Sequence, residues 1–187
     1  MVFRGSTTGV VPANASLAAL KTNARLRLAL HAAAQHGSPR WDVGVTSIVQ
    51  LGPDAEKAVV DLGLVRPALR QADMLAARAT FDVDGNSNAW DSCWWKLRGN
   101  AVVLKVQSKY QQWYYPKLVA WVHYIPVRAD LSDVDAAVDF ALDSSNDPAL
   151  VRMAAASTRL LQGITYAREA DRLHRKLAKW RRRVVGE

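Results

Sequence analysis

At 187 residues and 50% hydrophobic composition, the chain has the size of one α/β domain and enough apolar residues for a core, which excludes global disorder. Its formal net charge of +8 calls for an anionic partner, and nucleic acid, nucleotide phosphates and an acidic membrane surface all qualify. Arg172, Arg175, Lys176, Lys179, Arg181, Arg182 and Arg183 fall within the last sixteen residues, so the body of the chain is close to neutral.

The chain opens on Val2-Phe3 and a Gly/Ser/Thr-rich turn. There Arg4 can pair bidentately with phosphate, Ser6, Thr7 and Thr8 offer hydroxyls, and Gly5 and Gly9 allow close backbone approach. Leu17, Leu20, Ala24 and Leu28 recur at helical spacing and predict one helix over Ser16–Ala34, with Lys21, Arg25 and Arg27 facing solvent or a nucleotide. His31 and His36, five residues apart, lack the spacing of a helical metal-ligand pair and read as surface or capping histidines. Trp41–Val49 has a strand-like centre. Leu51–Val65 is broken by Gly and Pro, and residues 66–78 predict a helix with Pro67 in its first turn.

Phe81–Val83 is a short β-type run that stops at Asp84-Gly85-Asn86, a sharp turn. Ser87 or Asn88 can cap a helix over Trp90–Leu97, Gly99-Asn100 ends it, and Ala101–Val106 has strand length. This grammar is one βαβ unit, in which ligands sit at the carboxyl ends of strands against the helix N-terminus. That place is Gly85–Asn88, and it suits an anion.

Farther on, Lys105, Lys109 and Tyr110 could line a pocket for sugar hydroxyls and phosphate, while Trp113, Tyr114 and Tyr115 read equally as pocket walls or as packing under a loop. Trp121–Val127 predicts a strand, with His123 satisfied inside it. Ser132 and Asp135 form a capping-box-like start for a helix to about Leu142, which explains the nearby acids without catalysis. Asp147-Pro148 starts another helix, ending near Gly163, and Tyr166–Arg183 predicts a last one with Leu173, Leu177 and Trp180 on one face, docked on the domain. Alternating strands and helices give an α/β layered, Rossmann-like domain over residues 1–165, followed by a basic helix over 166–187. Cys93, the sole cysteine, permits neither an intramolecular disulfide nor a zinc cluster. With no apolar run near ~20 residues and no signal-like N-terminus, the plain expectation is a cytoplasmic protein.

The run VDGNSNAW…WKL, with VLKV and QWYYPKL..WVHYIPV after it, resembles glycosyltransferase family 90, and Phe3–Gly9 (FRGSTTG) resembles that family's upstream FRGS-type motif. The family comprises protein O-glucosyltransferases, capsule-associated xylosyltransferases and bacterial lipopolysaccharide-modifying enzymes. Asn86-Ser87-Asn88 with Trp90, and the QWYY segment, are most similar to the bacterial branch.

The resemblance implies the C-terminal, donor-binding half of a GT-B enzyme: inverting, metal-free and using a UDP-sugar. The acceptor would be a glycan, a lipid-linked glycan or a protein, as in lipopolysaccharide or polysaccharide biosynthesis. Donor-binding residues are expected at Arg4, Gly5, Ser6, Thr7, Asp84, Gly85, Asn86, Ser87, Asn88, Trp90, Lys105, Tyr110 and Tyr114. Asp82-x-Asp84 has the spacing of a metal motif, but the resemblance assigns no metal there. The general base of such enzymes lies in an upstream domain, so none is assigned within the chain. Asp91 stands where many relatives carry an arginine facing the diphosphate, a position the bacterial branch also tends to vary. Two other readings stay open: a degenerate, non-catalytic fragment of the family, and a basic nucleic-acid-binding module. The basic end could also hold an enzyme peripherally on an anionic membrane.

Overall fold

The computed structural model describes residues 1–9, 11, 16–35 and 37–186. Five strands form one sheet: β1 (Val2–Ser6), β2 (Asp42–Ser47), β3 (Ala79–Asp82), β4 (Val102–Val106) and β5 (Ile125–Val127). Their order is β2-β1-β3-β4-β5, every pair parallel. This is the α/β Rossmann-like sheet that the alternating pattern predicts. Every residue of β3 and β4 is buried, as expected of central parallel strands covered on both faces.

Eight helices accompany the sheet among the described residues: α1 (Leu17–Leu20), α2 (Ala24–Ala33), α3 (Pro53–Asp61), α4 (Gln71–Leu75), α5 (Trp90–Arg98), α6 (Val134–Leu142), α7 (Asp147–Gln162) and α8 (Tyr166–Val185). The main core joins Phe81 and Leu104 to Leu26 and Leu28 of α2, Val59 of α3 and Val138 of α6. A second cluster, around Val103 of β4, takes in Cys93 and Leu97 of α5, Leu161 of α7 and Tyr114.

Several boundaries differ from the periodicity reading. The helix expected over Ser16–Ala34 is two, because Asn23 interrupts it: its Oδ1 accepts from the backbone N–H of Arg25 (3.0 Å) and Leu26 (3.1 Å) and starts α2 afresh. The helix expected over 66–78 shrinks to α4. Tertiary bonds explain this: Arg66 N–H pairs with Val45 O, and Pro67 O accepts from Arg4, which holds the preceding stretch extended.

The strand expected over Trp121–Val127 keeps only β5. Val119–His123 forms a turn, in which Trp121 has φ +63 and His123 Nδ1 accepts from Val119 N–H at 2.9 Å. Ahead of α6 the N-cap is Asp133, not Ser132, whose N–H instead donates to Asp130. The indeterminate stretch after Leu51 contains α3, with Pro53 at its start. His36 lies outside the described residues.

Candidate functional site

In this strand order the chain leaves β1 toward β2 on one side and the sheet continues to β3 on the other. Such a switch point opens a crevice at the carboxyl ends of the two strands. Here β1 and β3 pair at one position, Val2 with Thr80. Beyond it the ladder is replaced by a side chain: Arg25 of α2 donates from Nε to Val83 O (3.3 Å) and from one terminal nitrogen to Ser6 O (3.2 Å) and Thr8 Oγ1 (2.8 Å). The two loops that sequence pattern singled out, Ser6–Gly9 and Asp84–Asn88, are thus held together by one guanidinium.

Glycine is required at this seam. A Cβ on Gly85 would lie 2.3 Å from Thr8 Oγ1 and 3.2 Å from Arg25 Cζ, and Gly9 has φ +128, with Asn23 Nδ2 pressed against it. Asn23, the cap of α2, also reaches back to donate to Thr7 O (2.9 Å) and Thr8 O (3.2 Å). One buried amide therefore sets both the start of α2 and the course of the first loop.

A cavity of about 360 Å³ occupies the crevice, lined by Thr8, Arg27, Asp84, Gly85, Asn86 and Tyr110 among others. Two of its lining side chains carry buried polar atoms with no hydrogen-bond partner: Arg27 Nε and Asp84 Oδ1. Native interiors seldom leave such groups unpaired, and both of these face a cavity that a polar group could enter. Burial pushes the Asp84 carboxyl above its ordinary range, against the pull of Ser108, Lys105 and Arg25. Burial also lowers the Arg25 guanidinium from its usual value, countered by Asp82 and Asp84.

Beside it lies a hollow of about 220 Å³ formed by Thr8, Arg25, Gly85, Asn86, Ser87, Asn88 and Trp90. Trp90 opens α5 at φ +39 and is 76% exposed as a residue, a strained backbone position for a large aromatic in the open. Ala89 is the N-cap and offers no side-chain acceptor, so the caps expected at Ser87 and Asn88 are not formed. Asn88 Oδ1 accepts from Gln112 Nε2 at 2.8 Å instead. The N-terminus of α5 therefore keeps its partial positive charge uncapped, with exposed Asp91 in its first turn.

A third cavity, of about 600 Å³, sits at the ends of β4 and β5, lined by Lys105, Ser108, Tyr110, Gln111, Tyr115 and Tyr124 among others. Tyr110 borders both large cavities, as does the Val106–Ser108 segment.

Beneath the crevice is a layer of buried charge. Asp82 Oδ2 accepts from Lys105 Nζ at 2.9 Å, and Lys96 Nζ stands 3.8 Å from Oδ1 while donating to Phe81 O at 2.7 Å. Burial opposes ionisation of Asp82, but Lys105 and Lys96 outweigh it and hold the carboxyl below the usual range. Cys93, next to this layer, is pushed up to about 12 by burial and the Asp82 charge, so it stays a thiol. Of the Asp82-x-Asp84 pair, Asp82 is taken up by Lys105 and Asp84 alone lines the crevice.

Three expected site residues are engaged elsewhere. Arg4 binds Asp42 (2.5 Å), Pro67 O (2.9 Å) and Phe3 O (2.9 Å), which occupies its guanidinium in clamping β1 to β2 and the segment before α4. The cations lining the crevice are Arg27 and Lys109, with Arg25 in the adjoining hollow; the two arginines share one helix, α2. Thr7 is buried, its hydroxyl donating to Val49 O and accepting from Val49 N–H, both at 2.7 Å; Thr8 lines the cavity in its stead. Tyr114 is 2% exposed and packs edge-on to Trp94 and Tyr115, so packing is its role, while Tyr115 reaches the larger cavity. Gly5 lies within β1, and Ser6 contributes its carbonyl to Arg25.

The model of glycosyl transferase family 90 matches residues 20–162. The chain belongs to that family. Zebrafish protein O-glucosyltransferase 2 is 28% identical over 165 residues, covering 72% of this chain and 32% of its own length. Rat protein O-glucosyltransferase 3 is 33% identical over 75 residues (40% of this chain, 15% of the relative), and rat protein O-glucosyltransferase 1 is 45% identical over 40 residues (21% and 10%). The chain thus spans about a third of the zebrafish relative's length. The Phe3–Gly9 turn precedes the matched span, yet the fold packs it directly against Gly85.

Proposed function

We propose that this chain is the donor-binding part of an inverting glycosyltransferase that takes a sugar from a UDP-sugar and passes it to a hydroxyl of a glycan, a lipid-linked glycan or a protein. The observation that carries the reading is the pair of unpartnered buried groups at the switch-point crevice, Arg27 Nε and Asp84 Oδ1. A guanidinium matches a diphosphate, and a carboxylate acceptor matches ribose or sugar hydroxyls. The uncapped start of α5 adds an N-terminal dipole at the same edge, and Trp90 offers an exposed ring for stacking.

In such a transfer the departing diphosphate gains negative charge. Arg27, the Arg25-braced loops and the α5 terminus would stabilise it without a metal ion, the loops and the terminus being fixed before the ligand arrives. Asp91 works against this by placing a carboxylate in the first turn of α5, so Arg25, Arg27 and Lys109 would supply the cationic charge that the arginine of many relatives provides. The base that deprotonates the acceptor belongs, on this reading, to another part of the complete enzyme. Calorimetric titration of the folded chain with UDP, with and without a chelator, is the test. Binding unaffected by the chelator supports the proposal, and no binding at millimolar UDP overturns it.

A further inference from the structure

We propose that α8 is an interfacial helix that lies on an anionic bilayer with Leu173, Leu177, Trp180 and Val184 in the lipid. The docking on the domain expected for this face does not occur. No residue of Tyr166–Val185 is buried, and those four side chains are 55%, 52%, 61% and 62% exposed. The helix is tied to the body near its start, where Lys117 Nζ meets Glu169 at 2.6 Å and Arg168 donates to Gly163 O at 2.9 Å.

The four residues recur at alternating spacings of four and three, which at 3.6 residues per turn makes one narrow stripe along the helix. An exposed apolar stripe of this length needs a cover, and the charges decide which. A second copy zipped along the same stripe would bring Lys176, Arg181 and Arg183, the positions flanking it, against their own counterparts. Like charges at those positions repel. After Asp171 the helix carries no acidic residue and seven basic ones, and Arg175, Lys179 and Arg182 lie on the side away from the stripe.

A protein partner docked on a narrow face, the rest of a family 90 enzyme included, gains little from charge on the opposite one. An anionic bilayer does gain, because its potential reaches about 8–10 Å into solution and so spans most of the helix. The composition is that of helices lying in the membrane plane: leucine and tryptophan on one face, lysine and arginine on the rest, low overall hydrophobicity. Lys176 and Arg183 border the stripe, where long cationic side chains can rise to the headgroups while their stems cover lipid.

The test uses the full chain with phosphatidylcholine vesicles, alone and mixed with phosphatidylglycerol, at low and high salt. The proposal expects sedimentation with the mixed vesicles, weakened by salt. Lys176→Gln, Arg181→Gln and Arg183→Gln together should lower partitioning on the order of a hundredfold, about fivefold for each charge. Insertion is read separately with bromine-labelled lipid: Trp180→Phe, which keeps the stripe apolar, should remove the membrane-dependent quenching of tryptophan fluorescence. Equal binding to both vesicle types, or none, overturns the proposal. So does quenching that survives Trp180→Phe, a concentration-dependent dimer that Leu177→Glu abolishes, or loss of vesicle binding when the remaining part of a family 90 enzyme is present.

Discussion

Asp82 and Lys105 face each other at 2.9 Å across β3 and β4, with Asp82 fully buried and Lys105 nearly so. Lys96 stands alongside the pair, and Lys105 also lines the cavity at the ends of β4 and β5. Removing the carboxylate would leave two buried ammonium groups without a counter-charge. Asp82→Asn should therefore destabilise the fold by about 3–5 kcal/mol. The double variant with Lys105→Met should lose less than Asp82→Asn alone, since one stranded charge goes with it. Urea denaturation of the three proteins measures this.

The same pair fixes a pH dependence. The folded Asp82 carboxyl is held below its ordinary value, so its contribution is fully present above the unfolded pKa, about 4, and disappears as pH falls through the lower folded value. Stability curves of the wild type should steepen in that acid window, and those of Asp82→Asn should not.

At the seam between the loops, Gly85→Ala would place a methyl group 2.3 Å from Thr8 Oγ1. Overpacking of this kind typically destabilises by about 1–3 kcal/mol. Because the obstacle is mainly one side-chain oxygen, Thr8→Ala should recover part of the loss, and the two changes should be non-additive in thermal or urea unfolding. Additive effects would mean that the loops do not meet as described.

The α/β class and the βαβ unit around Gly85 were legible because local chemistry fixes them: short apolar runs, an Asp-Gly-Asn turn and a Gly-Asn helix stop. The clamping partners of Arg4, Asp42 and Pro67, are not legible locally because they lie 38 and 63 residues away. Nothing local distinguishes a clamping arginine from a phosphate-binding one. Arg25 and Arg27 had a weak signal, two arginines on one helix, but their convergence on the second loop depends on β1 and β3 parting after Val2 and Thr80. Tyr114 and Tyr115 are adjacent and chemically alike, and tertiary packing against Cys93, Leu97, Val103 and Trp94 buries the first. Asn23 was readable in principle, since asparagine before a helical run is a cap, yet continuous Ala/Leu periodicity on both sides masked it.

Donor affinity should separate the arginines. If Arg27 holds the diphosphate as proposed, Arg27→Ala should weaken UDP binding by about 1.5–3 kcal/mol, the worth of a charge-assisted hydrogen bond. Arg4→Ala should lower unfolding stability while leaving UDP affinity near wild type, because its guanidinium is engaged with Asp42 and Pro67. Calorimetry of both variants against UDP checks the pair. The reverse ranking would return the phosphate role to Arg4.

Residues 1–187 should bind donor without transferring the sugar to an acceptor. An inverting transfer needs a base at the acceptor hydroxyl, on the far side of the sugar from the diphosphate. The acidic group lining the crevice on this chain is Asp84, and it sits at the end of β3 among the residues assigned to the donor. Its buried Oδ1 can accept from a ligand hydroxyl, and on the proposed reading that hydroxyl belongs to the donor. Mass spectrometry of reactions holding the chain, UDP-glucose or UDP-xylose and glycan or peptide acceptors should detect no new glycoside. Addition of the remaining part of a family 90 enzyme would be needed to produce one. Transfer by the chain alone, abolished by Asp84→Asn in a variant that still binds UDP, would overturn this division of labour and make Asp84 the base.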